Sequence, residues 1–307
     1  MEKVIVVIGP TSVGKTKMGV ALAKKFNGEV ISGDSMQIYK QMDIGTAKVT
    51  EEEKEGIIHH CVDILNSDET YSVHDFQQTV RKKITEITQR GHVPIIVGGT
   101  GLYIKAALYD YQFDEMKNDH HAINEKYKDY TNEQLHDHLK SIDEESAKTL
   151  HFNNRRRVLR AIEIYETTGK RKSEMLEEQE HICLYDAYFV GLTLPRDVLY
   201  ERINKRVDVM MENGLKEEME RLYSQGLTRN HQSMKAIGYK EWFDYYDHQI
   251  DLNDVLELIK KHSRQYAKRQ YTWFKNQFDV HWYDVNLENF EQTIEQVTDD
   301  IEKILKV

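Results

Sequence analysis

Eight residues near the start of the chain have the types and spacing of a phosphate-binding loop. An apolar run at residues 4–8 leads into the loop, and a helix-forming sequence follows it. Backbone N–H groups and the positive helix end then converge on one point, where they bind phosphate oxygens. Lys15 adds a positive charge, and the Thr16 hydroxyl is a ligand for Mg²⁺. The loop predicts a diphosphate or oligophosphate site with Mg²⁺ as cofactor. Its residues are Gly9, Pro10, Thr11, Ser12, Val13, Gly14, Lys15 and Thr16.

The carboxylate that hydrolytic NTPases use to hold Mg²⁺ has no counterpart at the expected place. That carboxylate directly follows an apolar strand, whereas the apolar run at residues 93–97 is followed by glycines and then Thr100. Asp63 lies in a less apolar context and is a weaker candidate. Asp34, which follows the second predicted strand, is the carboxylate expected in the crevice, either as a Mg²⁺ partner or as a general base.

The elements that position these residues alternate between strand and helix. Apolar strands are expected at residues 4–8, 29–32, 93–97 and 186–190, and amphipathic helices lie between the first three. This alternation predicts an α/β fold with a parallel sheet covered by helices on both faces. The carboxyl ends of parallel strands share one edge of a sheet, so the three loops that follow the first three strands should meet in one crevice, the expected active site.

The domain organisation is predicted from a change in the middle of the chain, where alternating strands and helices give way to a charged segment with a helical pattern. Residues 116–185 are charged and helical in pattern, which predicts a helical insertion. Residues 1–115 and 186–307 then form the P-loop catalytic core, and everything beyond Pro195 is expected to be helical.

Composition limits the class of protein. The 307 residues carry a net charge of −10, which argues against nonspecific coating of nucleic acid. No apolar run reaches the roughly 20 residues of a membrane span, and no export signal precedes the first strand, so we expect a cytoplasmic protein without a membrane partner. The two cysteines, Cys61 and Cys183, are far apart and predict neither a disulfide framework nor a zinc site.

Basic side chains are concentrated in two stretches of this acidic chain. The second stretch also contains aromatic residues, and such clusters can bind a polyanion at one surface. The basic residues are Arg155, Arg156, Arg157, Arg160, Lys170, Arg171 and Lys172 in the first stretch and Lys260, Lys261, Arg264, Lys268, Arg269 and Lys275 in the second.

Five motifs, taken together and in order, resemble those of the tRNA isopentenyltransferase family. They lie at residues 9–16, 34–39, 43–48, 98–103 and 268–274, so the resemblance covers almost the whole chain. Members of this family transfer a dimethylallyl group from dimethylallyl diphosphate to N6 of the adenosine 3′ of the anticodon. The resemblance thus implies a prenyltransferase that modifies tRNA and whose phosphate loop holds the allylic diphosphate rather than ATP.

The resemblance also implies roles for four catalytic residues. Lys15 and Arg206 would bind the diphosphate, Thr100 would support catalysis near the phosphates, and Asp34 would accept the N6 proton. Thr16 would bind Mg²⁺. These roles are chemically coherent, because adenine N6 is a weak nucleophile that benefits from a base and the departing diphosphate develops negative charge.

The tRNA anticodon stem-loop is the implied partner, with dimethylallyl diphosphate as the second substrate, and we expect a monomer. At two positions, Phe152 and Asn154, the chain departs from the Pro and Asp that many members have before the first basic stretch. The implied tRNA-binding residues are Asp34, Ser35, Met36, Gln37, Arg157, Arg160, Lys235, Gly238, Lys240, Lys268, Arg269 and Gln270.

Three alternatives remain open at this point. A nucleotide or metabolite kinase could use Arg155, Arg156 and Arg157 as lid arginines over ATP. A prenyltransferase could act on free AMP or ADP, although such an acceptor would not require the insertion and the basic helices. A noncatalytic, nucleotide-gated RNA-binding protein would form no product at all.

Overall fold

The computed structural model describes residues 1–111, 120–177 and 181–305, which form two compact units. The first unit comprises Met1–Tyr109 and Cys183–Val307, and the second comprises Asp110–Ile182. The predicted boundary at 115/116 lies outside the described residues. The other predicted boundary was 185/186, but residues 183–185 belong to the first unit, where Cys183 forms an antiparallel bridge with Tyr109.

The first unit is built on a parallel sheet, as predicted, and the sheet has six strands rather than the four that were expected. Its order is β3-β2-β4-β1-β5-β6, so β1 lies between β4 and β5. The strands are β1 (Lys3–Ile8), β2 (Gly28–Ser32), β3 (His59–His60), β4 (Val93–Gly98), β5 (Asp186–Thr193) and β6 (His281–Asp284).

Strand β6 corrects the prediction that everything beyond Pro195 is helical. It pairs in parallel with β5, from Val190 opposite His281 to Thr193 opposite Asp284. The strand has only four residues and lies at the edge of the sheet. A segment this short carries too little period-2 alternation to be distinguished from the helices around it.

Fourteen α-helices and one short 3₁₀ helix (Ser233–Lys235) are present in the described residues, and α5 to α9 belong to the second unit. The helices are α1 (Lys15–Lys25), α2 (Glu51–Lys54), α3 (Val73–Gln89), α4 (Gly101–Leu108), α5 (His120–Lys126), α6 (Asn132–Ile142), α7 (Glu144–Thr149), α8 (Arg155–Thr168), α9 (Lys172–Glu177), α10 (Arg196–Glu212), α11 (Leu215–Ser224), α12 (Trp242–Tyr246), α13 (Leu252–Gln277) and α14 (Phe290–Leu305).

The apolar run of β1 is buried because the sheet has a core on each face. Val4, Val6 and Ile8 belong to one hydrophobic cluster, whereas Ile5 and Val7 point to the other. Each such side chain contributes roughly 1.5–3 kcal/mol when it is fully buried. A strand with no polar face is stable only in this position, which explains why β1 lies inside the sheet.

The second unit has a hydrophobic core of its own. Leu135 and Leu139 of α6 pack with Val158 and Ile162 of α8, and all four side chains are buried. Thr131 forms a capping box with Gln134 and so begins α6. Among the helices of the described residues, none combines the length and the apolar character that a membrane span requires.

Candidate active site

The phosphate loop (residues 9–16) connects the carboxyl end of β1 to the start of α1. Gly14 precedes α1 with a φ of 108°, a conformation that strongly favours glycine. A Cβ at this position would also lie 2.7 Å from the Phe290 ring. The loop therefore turns tightly into α1, whose first N–H groups have no acceptor inside the helix. This geometry is the one that binds phosphate oxygens at a helix N-terminus.

The loops after β2 and β4 meet directly, as their positions at one sheet edge require. Gly33 donates its N–H to the Val97 carbonyl at 2.8 Å, and Thr100 donates its N–H to the Gly33 carbonyl at 3.3 Å. The Thr100 hydroxyl accepts a hydrogen bond from the Ser35 N–H at 3.2 Å. Thr100 thus anchors the turn that carries Asp34.

Gln270 of α13 links the loop after β4 to the phosphate loop. Its Nε2 donates to the Gly99 carbonyl at 3.0 Å, and its Oε1 accepts from the Thr11 N–H at 2.9 Å. The side chain is buried, and both the nitrogen and the oxygen of its amide form hydrogen bonds within the protein. The tRNA contact that the sequence analysis assigned to Gln270 stays a prediction.

The charged residues of the crevice have shifted pKa values. Burial and the Arg206 guanidinium lower the pKa of Lys15 to about 7, although Asp34 acts in the opposite direction. Burial raises the pKa of the Asp34 carboxyl despite the Met36 N–H, which donates to Asp34 Oδ1 at 2.8 Å, and despite Lys15. Burial also lowers the pKa of Arg206. Lys15, Arg206 and Asp34 are therefore close enough to influence one another's charge.

Two adjoining cavities open at this point. The larger, of about 770 Å³, contains Lys15, Thr16 and Gly99 in its wall. The smaller, of about 340 Å³, contains Lys235 and Arg269. Eight residues line both cavities and mark where they meet: Thr11, Ser12, Asp34, Thr46, Ala47, Arg206, Met210 and Tyr266.

The structure brings many of the predicted tRNA-binding residues to the smaller cavity but not all of them. Arg157 and Arg160 lie on α8 in the second unit, where Arg157 is exposed and Arg160 pairs with Glu163 at 2.8 Å. Gln37 lines the larger cavity, and Lys268 is exposed on α13. The residues at the smaller cavity are Asp34, Ser35, Met36, Lys235, Gly238, Lys240 and Arg269.

Gln37 is engaged within the fold. Its Oε1 accepts a hydrogen bond from the Ser32 hydroxyl at 3.2 Å, and its Nε2 donates to the Ala47 carbonyl at 3.2 Å. The side chain therefore holds the start of the turn after β2 against the loop around Ala47.

Asp63, the weaker Mg²⁺ candidate, is paired with a lysine. Lys48 Nζ lies 2.6 Å from Asp63 Oδ1 and 2.6 Å from Asp43 Oδ1, and it also donates to the Tyr39 carbonyl. The ammonium group of the buried Lys48 thereby connects the loop that contains Asp43 to the loop that contains Asp63. Within the residues that the structure describes, no group of three or more His, Cys, Asp or Glu side chains is placed to hold a metal ion.

Two important residues were missed by the sequence analysis. Tyr266 precedes Gln270 by one helical turn, lines both cavities and donates to the Gly99 carbonyl at 3.4 Å. The i, i+4 spacing from Gln270 was the available signal. Glu218 of α11 is buried and accepts hydrogen bonds from the loop at residues 43–45. No local motif distinguishes it from neighbouring Glu217.

The fold and the site define an α/β protein in which a central parallel strand leads into a glycine-containing loop with the P-loop sequence pattern, at the edge of a crevice. A family model described as IPP transferase matches residues 37–277, which is most of the chain. The chain belongs to the IPP transferase family, which confirms the family resemblance of its motifs.

Similar curated proteins and solved structures agree with this assignment. The tRNA dimethylallyltransferase of Bacillus cereus strain AH187 is 54% identical over 287 residues, which cover 92% of this chain and 90% of that protein. The tRNA delta(2)-isopentenylpyrophosphate transferase of Staphylococcus epidermidis is 47% identical, with a TM-score of 0.74 over 99% of both chains. A eukaryotic dimethylallyltransferase acting on tRNA is 33% identical, with a TM-score of 0.86 over 99% of this chain and 79% of that one.

Proposed function

We propose that this enzyme transfers the dimethylallyl group of dimethylallyl diphosphate to N6 of the adenosine 3′ of the anticodon in tRNA. The observation that carries the proposal is the pair of cavities that meet at Asp34 and Arg206. One cavity has the phosphate loop in its wall, and the other has basic residues around it. Two substrates that enter separately would react where the cavities join.

The larger cavity suits the allylic diphosphate. Lys15 and Arg206 provide positive charge, and the phosphate loop provides N–H donors. The Ser12 hydroxyl is buried and has no hydrogen-bond partner among the described residues, which leaves it available to a phosphate oxygen. No Asp follows β4 directly, which agrees with a diphosphate ligand rather than with ATP hydrolysis.

Mg²⁺ fits the donor set of this cavity. Mg²⁺ prefers oxygen ligands and usually combines one or two protein ligands with waters and substrate phosphates; the Thr16 hydroxyl would supply one oxygen, and the Asp34 carboxylate lines the same cavity. The ion would supply charge neutralisation on the leaving diphosphate.

In the proposed reaction, N6 of adenine attacks the allylic carbon while the C–O bond to the diphosphate breaks. The electron pair of the broken bond leaves with the diphosphate, and the N6 proton passes to Asp34. Burial raises the pKa of Asp34, which makes it a stronger base than an exposed aspartate. Lys15 and Arg206 stabilise the charge that develops on the leaving group. Thr100 keeps the Asp34 turn in place through its bond to Ser35.

The smaller cavity suits the nucleotide. Three of its basic side chains, Lys235, Lys240 and Arg269, are exposed and can contact phosphates of an RNA loop. The target base would have to leave its stack to enter the cavity, and unpaired anticodon-loop bases do so at low cost. Arg157, Arg160 and Lys268 are proposed as additional tRNA contacts. We also propose a cytoplasmic location, where tRNA is available; the expected monomer stays a prediction.

The proposal is tested by mass spectrometry of nucleosides from a tRNA anticodon stem-loop incubated with the protein, Mg²⁺ and dimethylallyl diphosphate. We expect a prenylated adenosine at the position 3′ of the anticodon and none in a control stem-loop that carries guanosine there. If AMP offered in place of the stem-loop were prenylated at the same rate, the proposal that RNA is the acceptor substrate would be overturned. Absence of any prenylated product would overturn the transferase assignment.

A further inference from the structure

Glu218 is a buried carboxylate that binds four donors from two distant parts of the chain. One oxygen, Oε2, accepts from the N–H groups of Asp43 at 2.8 Å and Ile44 at 2.9 Å. The other, Oε1, accepts from the Gly45 N–H at 3.0 Å and from the Tyr239 hydroxyl at 2.7 Å. Only 2% of the residue is exposed. Both oxygens are used fully as acceptors, which is the arrangement that a buried carboxylate requires.

The segments that Glu218 joins form the wall of the smaller cavity. Gly45, Thr46 and Ala47 line this cavity, and so do Ile237, Gly238 and Lys240, which flank Tyr239; Thr46 and Ala47 also line the larger cavity. The two segments are in direct contact, because a Cβ on Gly45 would lie 2.6 Å from the Tyr239 ring. The shape of the cavity therefore depends on how Glu218 spaces them.

The groups assigned to the diphosphate are held by other contacts. Lys15 donates from Nζ to the Pro10 carbonyl at 2.7 Å, and Gln270 accepts from the Thr11 N–H at 2.9 Å. Asp43 and Ile44 also border the larger cavity, but the charged groups that would grip the diphosphate form no hydrogen bond with Glu218 among the described residues.

We propose that Glu218 is a positioning residue for the nucleotide, which acts by fixing the loop at residues 43–45 against Tyr239. This inference rests on the proposed function, because it assumes that the smaller cavity receives the target adenosine. It assigns Glu218 to the RNA half of the reaction and not to the diphosphate half.

The test compares Glu218→Gln with Glu217→Gln, an exposed neighbour on the same helix that loses the same charge. The Glu218→Gln substitution replaces one acceptor oxygen with an NH₂ group, so at least one of the four donors loses its partner. We expect kcat/KM for the anticodon stem-loop to fall about tenfold or more, while the Kd for dimethylallyl diphosphate stays within about twofold. Tyr239→Phe, which removes one donor only, should show a smaller loss in the same direction. Glu217→Gln should behave as wild type.

Thermal unfolding of each variant distinguishes positioning from general stability. Equal losses for the two substrates, in step with a lower Tm, would overturn the positioning role, as would a folded Glu218→Gln with wild-type kinetics. Glu218→Asp keeps the charge but shortens the reach, so full activity in this variant would also contradict the inference. If wild-type protein fails to prenylate the stem-loop, the proposed function itself fails, and this inference fails with it.

Discussion

At the scale of single residues, Asp34 and Lys15 have pKa values shifted toward neutrality for the same reason. Burial disfavours the charged form of each, so the carboxyl pKa rises and the ammonium pKa falls to about 7. A raised pKa makes a carboxylate a stronger proton acceptor, and an ammonium group whose pKa is about 7 responds to a nearby charged ligand. The site is thus prepared for a substrate that brings negative charge.

Asp34→Ala should lower turnover by roughly 10²-fold or more, because the N6 proton loses its acceptor. Binding of tRNA and the fold should be retained. In the wild type, turnover should decline as the pH falls through the raised pKa of Asp34, since the protonated carboxyl cannot accept a proton. Single-turnover rates across a pH series check both statements, and a near-normal rate for the variant would remove Asp34 from the role of base.

Binding of dimethylallyl diphosphate should draw a proton onto Lys15. With a pKa of about 7 the amine is mostly neutral at pH ~8, and an adjacent diphosphate favours its charged form. Calorimetry at that pH in buffers of different ionisation enthalpy measures this uptake. Lys15→Arg keeps the charge but does not titrate, so this variant should take up fewer protons than the wild type. Equal uptake in both proteins would contradict the shifted pKa.

Among the helices, strands and loops, the features that depend on neighbouring residues could be predicted from the sequence. The contacts between residues far apart in the chain could not. The loop at residues 9–16 and the strands beside it were predictable because a motif and an apolar run are contiguous in sequence. The roles of Gln270 and Glu218 depend on residues far away in the chain, and no periodicity reports them. The edge strand β6 was missed because so short a segment carries too little pattern.

Gln270→Ala should destabilise the link between α13 and the phosphate loop. The Thr11 N–H is only half-buried, so the loss of its acceptor should cost about 1 kcal/mol, the low end of the range for buried donors. We expect the free energy of unfolding to fall by that amount and diphosphate affinity to weaken, as measured by urea denaturation and calorimetry. The control is Gln265→Ala, an exposed position on the same helix. Equal effects of the two substitutions would show that the link contributes nothing.

At the scale of the whole molecule, a net charge of −10 coexists with local basic surfaces. The excess of acidic residues supports solubility, while exposed cations such as Lys268 and Arg157 can attract phosphates electrostatically. The two-unit organisation was predictable from the change in composition. In the structure the second unit ends at Ile182, and the bridge between Cys183 and Tyr109, two residues far apart in sequence, lies within the first unit.

Lys268→Ala and Arg157→Ala should each weaken tRNA binding and reduce the slope of log K against log salt by about 0.7 to 0.9 per lost phosphate contact. Affinity for dimethylallyl diphosphate should hardly change. Fluorescence titrations at several salt concentrations measure the slope, and Lys82→Ala, an exposed lysine on α3, is the control. An unaltered slope would show that the residue makes no contact with a tRNA phosphate and is either solvated or involved only in the fold.

We expect the phosphate loop to hold an allylic diphosphate and the transfer to need no ATP. The most direct measurement is the ratio of diphosphate released to prenylated adenosine formed, with tRNA, dimethylallyl diphosphate and Mg²⁺ present and ATP absent. We predict a ratio of one, and a rate that falls by roughly 10²-fold or more in Lys15→Ala because the leaving group loses a stabilising charge. A requirement for ATP hydrolysis, or phosphorylation of a substrate while tRNA stays unprenylated, would contradict this account.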